Sequence, residues 1–333
     1  MRFSFCIIPN MTVPQVGDAV DRAEQWGADL VWIPDEAYMR DPYVTIGSIA
    51  TRSRTIDIGV GIANPYTRHP MQLARAIATA ADLRKGNMIF GIGAGLKSTR
   101  DGIGAPEGEF VATTRDCITV MKRLMRGESV TFENSVFKLN NAKMSFVPTQ
   151  QVPMYVASTH KDAFVMAGEI ADGVIVGNVA EPDAMRQVVA WVHEGAAGAG
   201  RDPSSVKIVA WNIAVCTDDA AAAYDCMRAI VAKSIAITHR ALRKLMGIDQ
   251  PRWERIHAAV RHGRGTIDRE LVPDRMIDKL AIVGSPKACR QKMLALEEAG
   301  ADIMAVRTSL DLLARYNWES NVRGLAACLR GAV

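Results

Sequence analysis

The chain has 333 residues, 49% apolar and 23% charged, which is the composition of a globular protein and excludes a fibrous or disordered one. The net charge of +4 comes from basic residues spread along the chain, so no nucleic-acid-binding face is expected. Six cysteines without a CxxC pair suit a reducing cytoplasm, and the absence of any apolar run near the ~18 residues of a membrane helix argues against a membrane span.

The N-terminal MRFSFCIIPN carries one charge and an apolar run broken by Pro9, too short for a signal peptide. Phe3–Ile8 reads as a first strand, near-continuously apolar as a strand covered on both faces should be. Helix Val13–Trp26 follows, stopped by Gly27, then strand Leu30–Ile33 and a short helix Pro42–Thr51. A third strand, Ile56–Ile62, ends at Ala63-Asn64-Pro65, and Pro70 opens the helix Met71–Leu83. Met88–Ile92 is a fourth strand, and Phe110–Arg126 a helix with Cys117, Val120, Met121 and Leu124 on one face.

The rhythm then breaks. Val130–Pro148 alternates polar and apolar residues around Asn134-Ser135 and Asn140-Asn141, the pattern of an inserted β-hairpin. Strands Pro153–Ala157, Gly173–Val176 and Lys207–Val215 alternate with helices Lys161–Ile170 and Pro182–Ala197. A long helical stretch, Ala220–Gly247, precedes a polar region, Asp249–Pro273, read as a second insertion. Helix Pro286–Ala299, strand Asp302–Val306 and helix Ala314–Leu329 complete the chain. Eight strands alternating with helices through right-handed crossovers predict an α/β fold, a (β/α)8 TIM-like barrel with insertions. No linker divides the sequence, so residues 1–333 are expected to form one barrel domain with insertions near 130–148 and 249–273.

Ligand chemistry in such a barrel belongs at the C-terminal ends of the strands. Asp35 and Glu36 end the second strand and are candidates for proton chemistry, Asp35 the better placed to line a pocket; a helix cap or a solvated face is the structural alternative. Asn64 can donate and accept, which suits the edge of a pyrimidine-like ring, with an Asn-Pro turn as the structural alternative. Arg68 and His69 read as structural, His69 as a cap for the helix behind it. GIGAG at Gly91–Gly95 follows a strand, but Leu96 replaces the third glycine of a dinucleotide fingerprint and no Walker loop follows. Gly93 and Gly95 there would allow close approach of a planar ring, or simply relieve crowding. Ala157-Ser158-Thr159-His160 and Gly177-Asn178 offer backbone N–H groups near helix starts for a phosphate, with Lys161 adding charge, or plain loop capping. No histidine or cysteine spacing indicates a metal site or a covalent nucleophile.

GIANPYTRHP (Gly61–Pro70), GIGAG (Gly91–Gly95), VPMYVAS with AGEIADGVIVGN (Val152–Asn178) and VGSPKACRQKMLALEEAGAD (Val283–Asp302) together resemble the bacterial-luciferase-like family. The nearest branch is the coenzyme F420-dependent methylenetetrahydromethanopterin reductases. The resemblance implies a TIM-like barrel, usually dimeric, with a deazaflavin (F420) or, alternatively, FMN at the C-terminal strand ends. It also implies a non-prolyl cis peptide in the third strand, carried over to Gly61-Ile62, forming a bulge behind the ring. The cofactor residues expected on this basis are Gly61, Ile62, Asn64, Gly93, Gly95, Ala157, Ser158, Gly177 and Asn178. One position departs from the branch: its glutamate at the end of the first strand is replaced here by Ile8 or Pro9. The implied activity is hydride transfer between F420 and a small organic, pterin-like substrate, with an FMN-dependent monooxygenase as the alternative. The basic clusters Arg261–Arg264 and Arg269–Arg275 read as solvated, or as facing an acidic F420 tail.

Overall fold

The computed structural model describes residues 1–7, 10–36, 38–52, 55–83, 86–106, 108–263, 265, 267–308 and 316–331. Eleven strands are described: β1 (Arg2–Cys6), β2 (Leu30–Ile33), β3 (Asp57–Ala63), β4 (Met88–Gly93), β5 (Val130–Glu133), β6 (Lys138–Ala142), β7 (Met154–Ser158), β8 (Gly173–Gly177), β9 (Lys207–Cys216), β10 (Ala281–Gly284) and β11 (Ile303–Arg307). All pairings of the large sheet are parallel, in the order β11-β1-β2-β3-β4-β7-β8-β9, and β9 pairs back to β11. The result is a closed eight-stranded barrel with helices between its strands. Its eight members are the eight strands expected from the sequence.

Helices close over the outside because their apolar faces recur at helical spacing. In Val13–Gln25, Val16, Ala19, Val20 and Ala23 are buried, and Thr12 caps it through a reciprocal box with Gln15. The β5–β6 hairpin is antiparallel and turns at Asn134-Ser135, where Asn134 Oδ1 accepts from the N–H groups of Val136 and Phe137 at 2.8 and 2.9 Å.

Several boundaries differ from expectation. The stretch Ala220–Gly247 breaks at Thr238, where His239 caps a separate short helix, Arg240–Leu245. The polar region Asp249–Pro273 contains a helix, Gln250–His262; Trp253, Ile256, His257 and Val260 already carry helical spacing in the sequence. β10 was not anticipated: helix Asp274–Leu280 runs directly into it, and it extends the sheet beside the C-terminal half of β9. A six-residue helix, Lys97–Gly102, follows β4. Ile8, Pro9, Arg264 and the expected start of the last helix at Ala314 lie outside the described residues; that helix is described over Trp318–Arg330.

The barrel interior is filled by few, large side chains set against glycines. A Cβ on Gly59 would lie 2.4 Å from Trp32, one on Gly61 2.9 Å from Trp211 and 3.0 Å from Trp32, and one on Gly173 2.8 Å from Tyr155. Trp32 and Trp211 meet edge to face with centroids 5.6 Å apart, an arrangement the aromatic quadrupole favours. Trp32 Nε1 donates to Ser4 Oγ, which donates to the Met304 carbonyl, both at 3.0 Å, so no interior polar atom of this set is wasted.

Candidate active site

At the C-terminal end of the barrel the inward positions are apolar. Cys6 of β1, Ile62 of β3, Ala157 of β7 and Trp211 of β9 pack on the interior cluster, and the last three remain only half-buried. They form a floor that faces the mouth. A Cβ on Gly177 would meet nothing within 4 Å, so the β8 side of this floor is open. The floor is shaped by an irregularity in β3: Val60 pairs with Phe90 and Ala63 with Ile92, so β3 holds one residue more than β4 over that interval. The Gly61-Ile62 peptide there is cis. The displaced Ile62 side chain leans over β4, its Cδ1 2.9 Å from where a Gly93 Cβ would be. Gly93 therefore makes room for Ile62 and for the Ala157 carbonyl, 2.6 Å away.

The loop after β3 is held by its own side chains. Asn64 is buried, and its Oδ1 accepts from the N–H groups of Tyr66 and Thr67 at 3.1 and 3.0 Å. Its amide nitrogen borders Gly95, which adopts φ +65°, a left-handed conformation that suits glycine. His69 caps the helix Pro70–Asp82: its Nδ1 accepts from the Met71 N–H at 3.2 Å, and Nε2 lies 3.1 Å from the Lys138 carbonyl of the hairpin. Arg68 bonds to Asp35 at 3.2 Å and Asp41 at 2.7 Å and lies over the Tyr43 ring. Both are structural, as their sequence context suggested. Asp35 is thus turned into this network, while Glu36 beside it is exposed. Burial pushes the Asp35 carboxyl above the ordinary carboxylate range, against the opposing pull of Arg68.

Across the mouth, Ser158 Oγ accepts from the His160 N–H at 2.9 Å, and Thr159 Oγ1 accepts from the His239 N–H at 3.2 Å. The His160 and His239 rings lie 3.6 Å apart. Two buried side-chain atoms on this rim make no hydrogen bond, Asn178 Oδ1 and His160 Nδ1, the latter with the Asp162 carboxylate 3.7 Å away. Asn178 itself is left-handed, with φ +54°, and its N–H donates to the Trp211 carbonyl at 2.8 Å. Lys161 lies over the Trp191 ring. The expected cofactor residues Ile62, Asn64, Gly93, Gly95, Ala157, Ser158, Gly177 and Asn178 therefore all stand at the ends of β3, β4, β7 and β8, along one half of the barrel mouth. Gly61 lies one step deeper, beneath the floor.

Three residues of the mouth were not singled out in the sequence: Trp211, Cys6 and Arg307. Each sits in a strand whose apolar run masks it. The readable signal for Arg307 is a charge terminating IMAVR, where alternation from Ile303 and Ala305 points it inward. The register that pairs Phe5 with Val306 places Cys6 beside Arg307. Loss of solvent pulls the Arg307 guanidinium below its usual pKa, opposed by the nearby Cys6 and Glu36, and burial pushes the Cys6 thiol up to about 12.

A family model for luciferase-like monooxygenases matches residues 3–302. The chain belongs to the luciferase-like monooxygenase family. It is 31% identical over 301 residues to a 5,10-methylenetetrahydromethanopterin reductase of Methanolobus tindarius, covering 90% of this chain and 92% of the relative. It is 32% identical over 173 residues, 48% of this chain and 51% of the relative, to an F420-dependent glucose-6-phosphate dehydrogenase of Kineococcus radiotolerans. Among solved structures, the coenzyme F420-dependent tetrahydromethanopterin reductase of Methanopyrus kandleri superposes with a TM-score of 0.86 at 25% identity, over 99% of both chains. Within the family, the half-buried floor and the bulge below it are the features on which a flat ring could rest. Among the described residues no cluster of histidine, cysteine or carboxylate side chains could hold a metal ion, and no helix is long and apolar enough to cross a membrane.

Proposed function

We propose that this protein is an F420-dependent oxidoreductase that moves a hydride between the deazaflavin and a small organic acceptor. The observation that carries the reading is the apolar floor of Ile62, Ala157 and Trp211, half-exposed at the strand ends beside the β3 bulge. It rests also on relatives whose names specify F420-dependent reductases and dehydrogenases.

The residues present fit such a group. The floor offers an apolar face of ring size, Gly177 leaves open space beside it, and Asn178 Oδ1 makes no hydrogen bond within the protein on the rim. Ile62, Asn64, Gly93, Gly95, Ala157, Ser158, Gly177 and Asn178 would hold the cofactor, with Gly61 setting the floor from below. The cofactor supplies the hydride when bound. Ile62, Ala157 and Trp211 exclude water from one face and fix the plane in which an acceptor must lie. Glu36, exposed at the mouth, holds or delivers the accompanying proton, and Asp35 supports the loop from which it projects. The hairpin and the helical insertion form the rim, the whole chain acting as one barrel unit, as a homodimer in the cytoplasm. A pterin-like acceptor is the second reading, favoured by the Methanolobus and Methanopyrus relatives.

Mass spectrometry of the small molecule that co-purifies, followed by fluorescence titration with F420 and with FMN, tests this. Binding of F420 in preference to FMN and oxidation of reduced F420 by an added acceptor are expected. Preferential FMN binding with oxygen uptake would transfer the protein to the monooxygenase reading.

A further inference from the structure

The eight strands form a ring, and the proposed cofactor positions occupy the consecutive members β3, β4, β7 and β8. Of the other four members, β11, β1 and β2 bring together Arg307, Cys6 and Glu36. Among the described residues the Arg307 guanidinium makes no hydrogen bond or ion pair. By contrast, the Arg68 guanidinium is tied to both Asp35 and Asp41. Arg307 is half-buried at the last inward position of β11, above Ala305, which packs on the interior cluster. A guanidinium in that setting has given up part of its hydration without gaining a partner. Its planar fork of donors matches a carboxylate in two parallel hydrogen bonds. Cys6, next to it, carries no charge because burial keeps its thiol protonated, and Glu36, which also acts on the guanidinium, is exposed and forms no ion pair with it.

We propose that Arg307 is a specificity residue: it takes a carboxylate of the hydride acceptor, so the acceptor class is a small organic acid. That the acid is the hydride acceptor rests on the proposed F420 chemistry; the carboxylate site stands on the geometry alone. The same charge chemistry could come from an acidic cofactor tail. The placement of Arg307 across the mouth from the cofactor half favours the acceptor, and the test separates the two.

The probes are benzoate and its neutral isostere benzamide, read by quenching of tryptophan fluorescence, with Trp211 on the floor as the reporter. The wild-type protein is expected to bind benzoate saturably and at least about tenfold tighter than benzamide, the gain of one charge-assisted pair. Arg307→Gln should bind both alike, and Arg307→Lys should keep part of the preference, while both retain F420 affinity within about twofold. Equal binding of the two probes by the wild type, or no saturation by benzoate below about 50 mM, overturns the proposal. So does a preference that survives in Arg307→Gln, or a variant that loses F420 and not benzoate, which assigns the residue to the cofactor. Should Arg307→Gln fail to fold, as judged by circular dichroism, the wild-type comparison and Arg307→Lys decide. A wild type that discriminates the probes but binds no F420 would refute the proposed function and leave the carboxylate site standing.

Discussion

Arg68 Nε donates to Asp35 Oδ2 at 3.2 Å, and Nη2 of the same guanidinium to Asp41 at 2.7 Å, so one side chain ties the loop after β2 to the loop after β3. The Asp35 side chain is 5% exposed and that of Arg68 33%. The pair fixes the base of the mouth and orients the backbone from which Glu36 projects.

Removing Arg68 leaves Asp35 buried and uncompensated. Arg68→Met should destabilise the fold by about 3 kcal/mol at neutral pH. The sign of its pH dependence follows from the raised Asp35 pKa. The folded state holds the proton more tightly than the unfolded state, so stability is highest below the unfolded carboxylate pKa and falls as pH rises through the folded one. The variant, with a still higher folded pKa, should lose most at about pH 7.5 and least near pH 4.5. Urea unfolding at both pH values checks this; an equal loss at each would show that Asp35 is not the group responsible.

Gly61→Val places a branched side chain against Trp211 and Trp32, whose atoms already lie 2.9 and 3.0 Å from the Cβ position. The tryptophans must move, at about 1–3 kcal/mol of overpacking, and the floor moves with them. F420 affinity should fall at least about tenfold while the far-UV circular dichroism is retained. An unchanged dissociation constant would mean that the cofactor does not rest on this floor.

Asn64 can act through its amide nitrogen toward a ligand or through its oxygen, which holds the N–H groups of Tyr66 and Thr67. Asn64→Ala should weaken F420 binding more than His69→Ala, because His69 serves only the helix start and the hairpin. Asn64→Asp keeps the acceptor and loses the donor. Affinity restored in Asn64→Asp identifies the loop geometry as the cause; affinity still lost identifies a direct contact.

The His160–His239 contact makes the rim sensitive to acid. Desolvation, and then repulsion from His160, hold the His239 pKa below that of a free histidine. The unfolded state therefore binds protons first as pH falls, so the stabilising contribution is complete above about pH 6.5 and is lost as pH drops through the folded value. Thermal melts should fall more between about pH 7.5 and pH 5 in the wild type than in His160→Gln, in which one of the two charges is absent. Equal shifts would remove this pair as the source.

The barrel could be read from the sequence because strands buried on both faces must be nearly uniform in apolar residues, and each of the eight is separated from the next by a helix-length segment. Val209, Ile303 and their neighbours are legible for that reason. The structural roles of His69 and Arg68 were legible too: a residue before Pro70 at a helix start has few alternatives to capping. β10 escaped because Leu280 passes to Ala281 without turn residues, and the helix Gln250–His262 because only Ile256 and Ala259 are buried in it.

What the sequence determined by itself is the order of elements and the set of strand ends, since hydrophobic period and turn chemistry are local properties. Which strand ends face one another, and which charges find partners there, only the closed ring decided. Asp35 and Glu36 are adjacent in the chain, yet one turns to Arg68 and the other to the mouth. Arg307 and Cys6 lie near opposite ends of the sequence, yet stand side by side through the β1–β11 register. The burial that shifts Asp35, Arg307 and Cys6 depends on what packs against them from distant segments, a quantity that no local window of sequence contains.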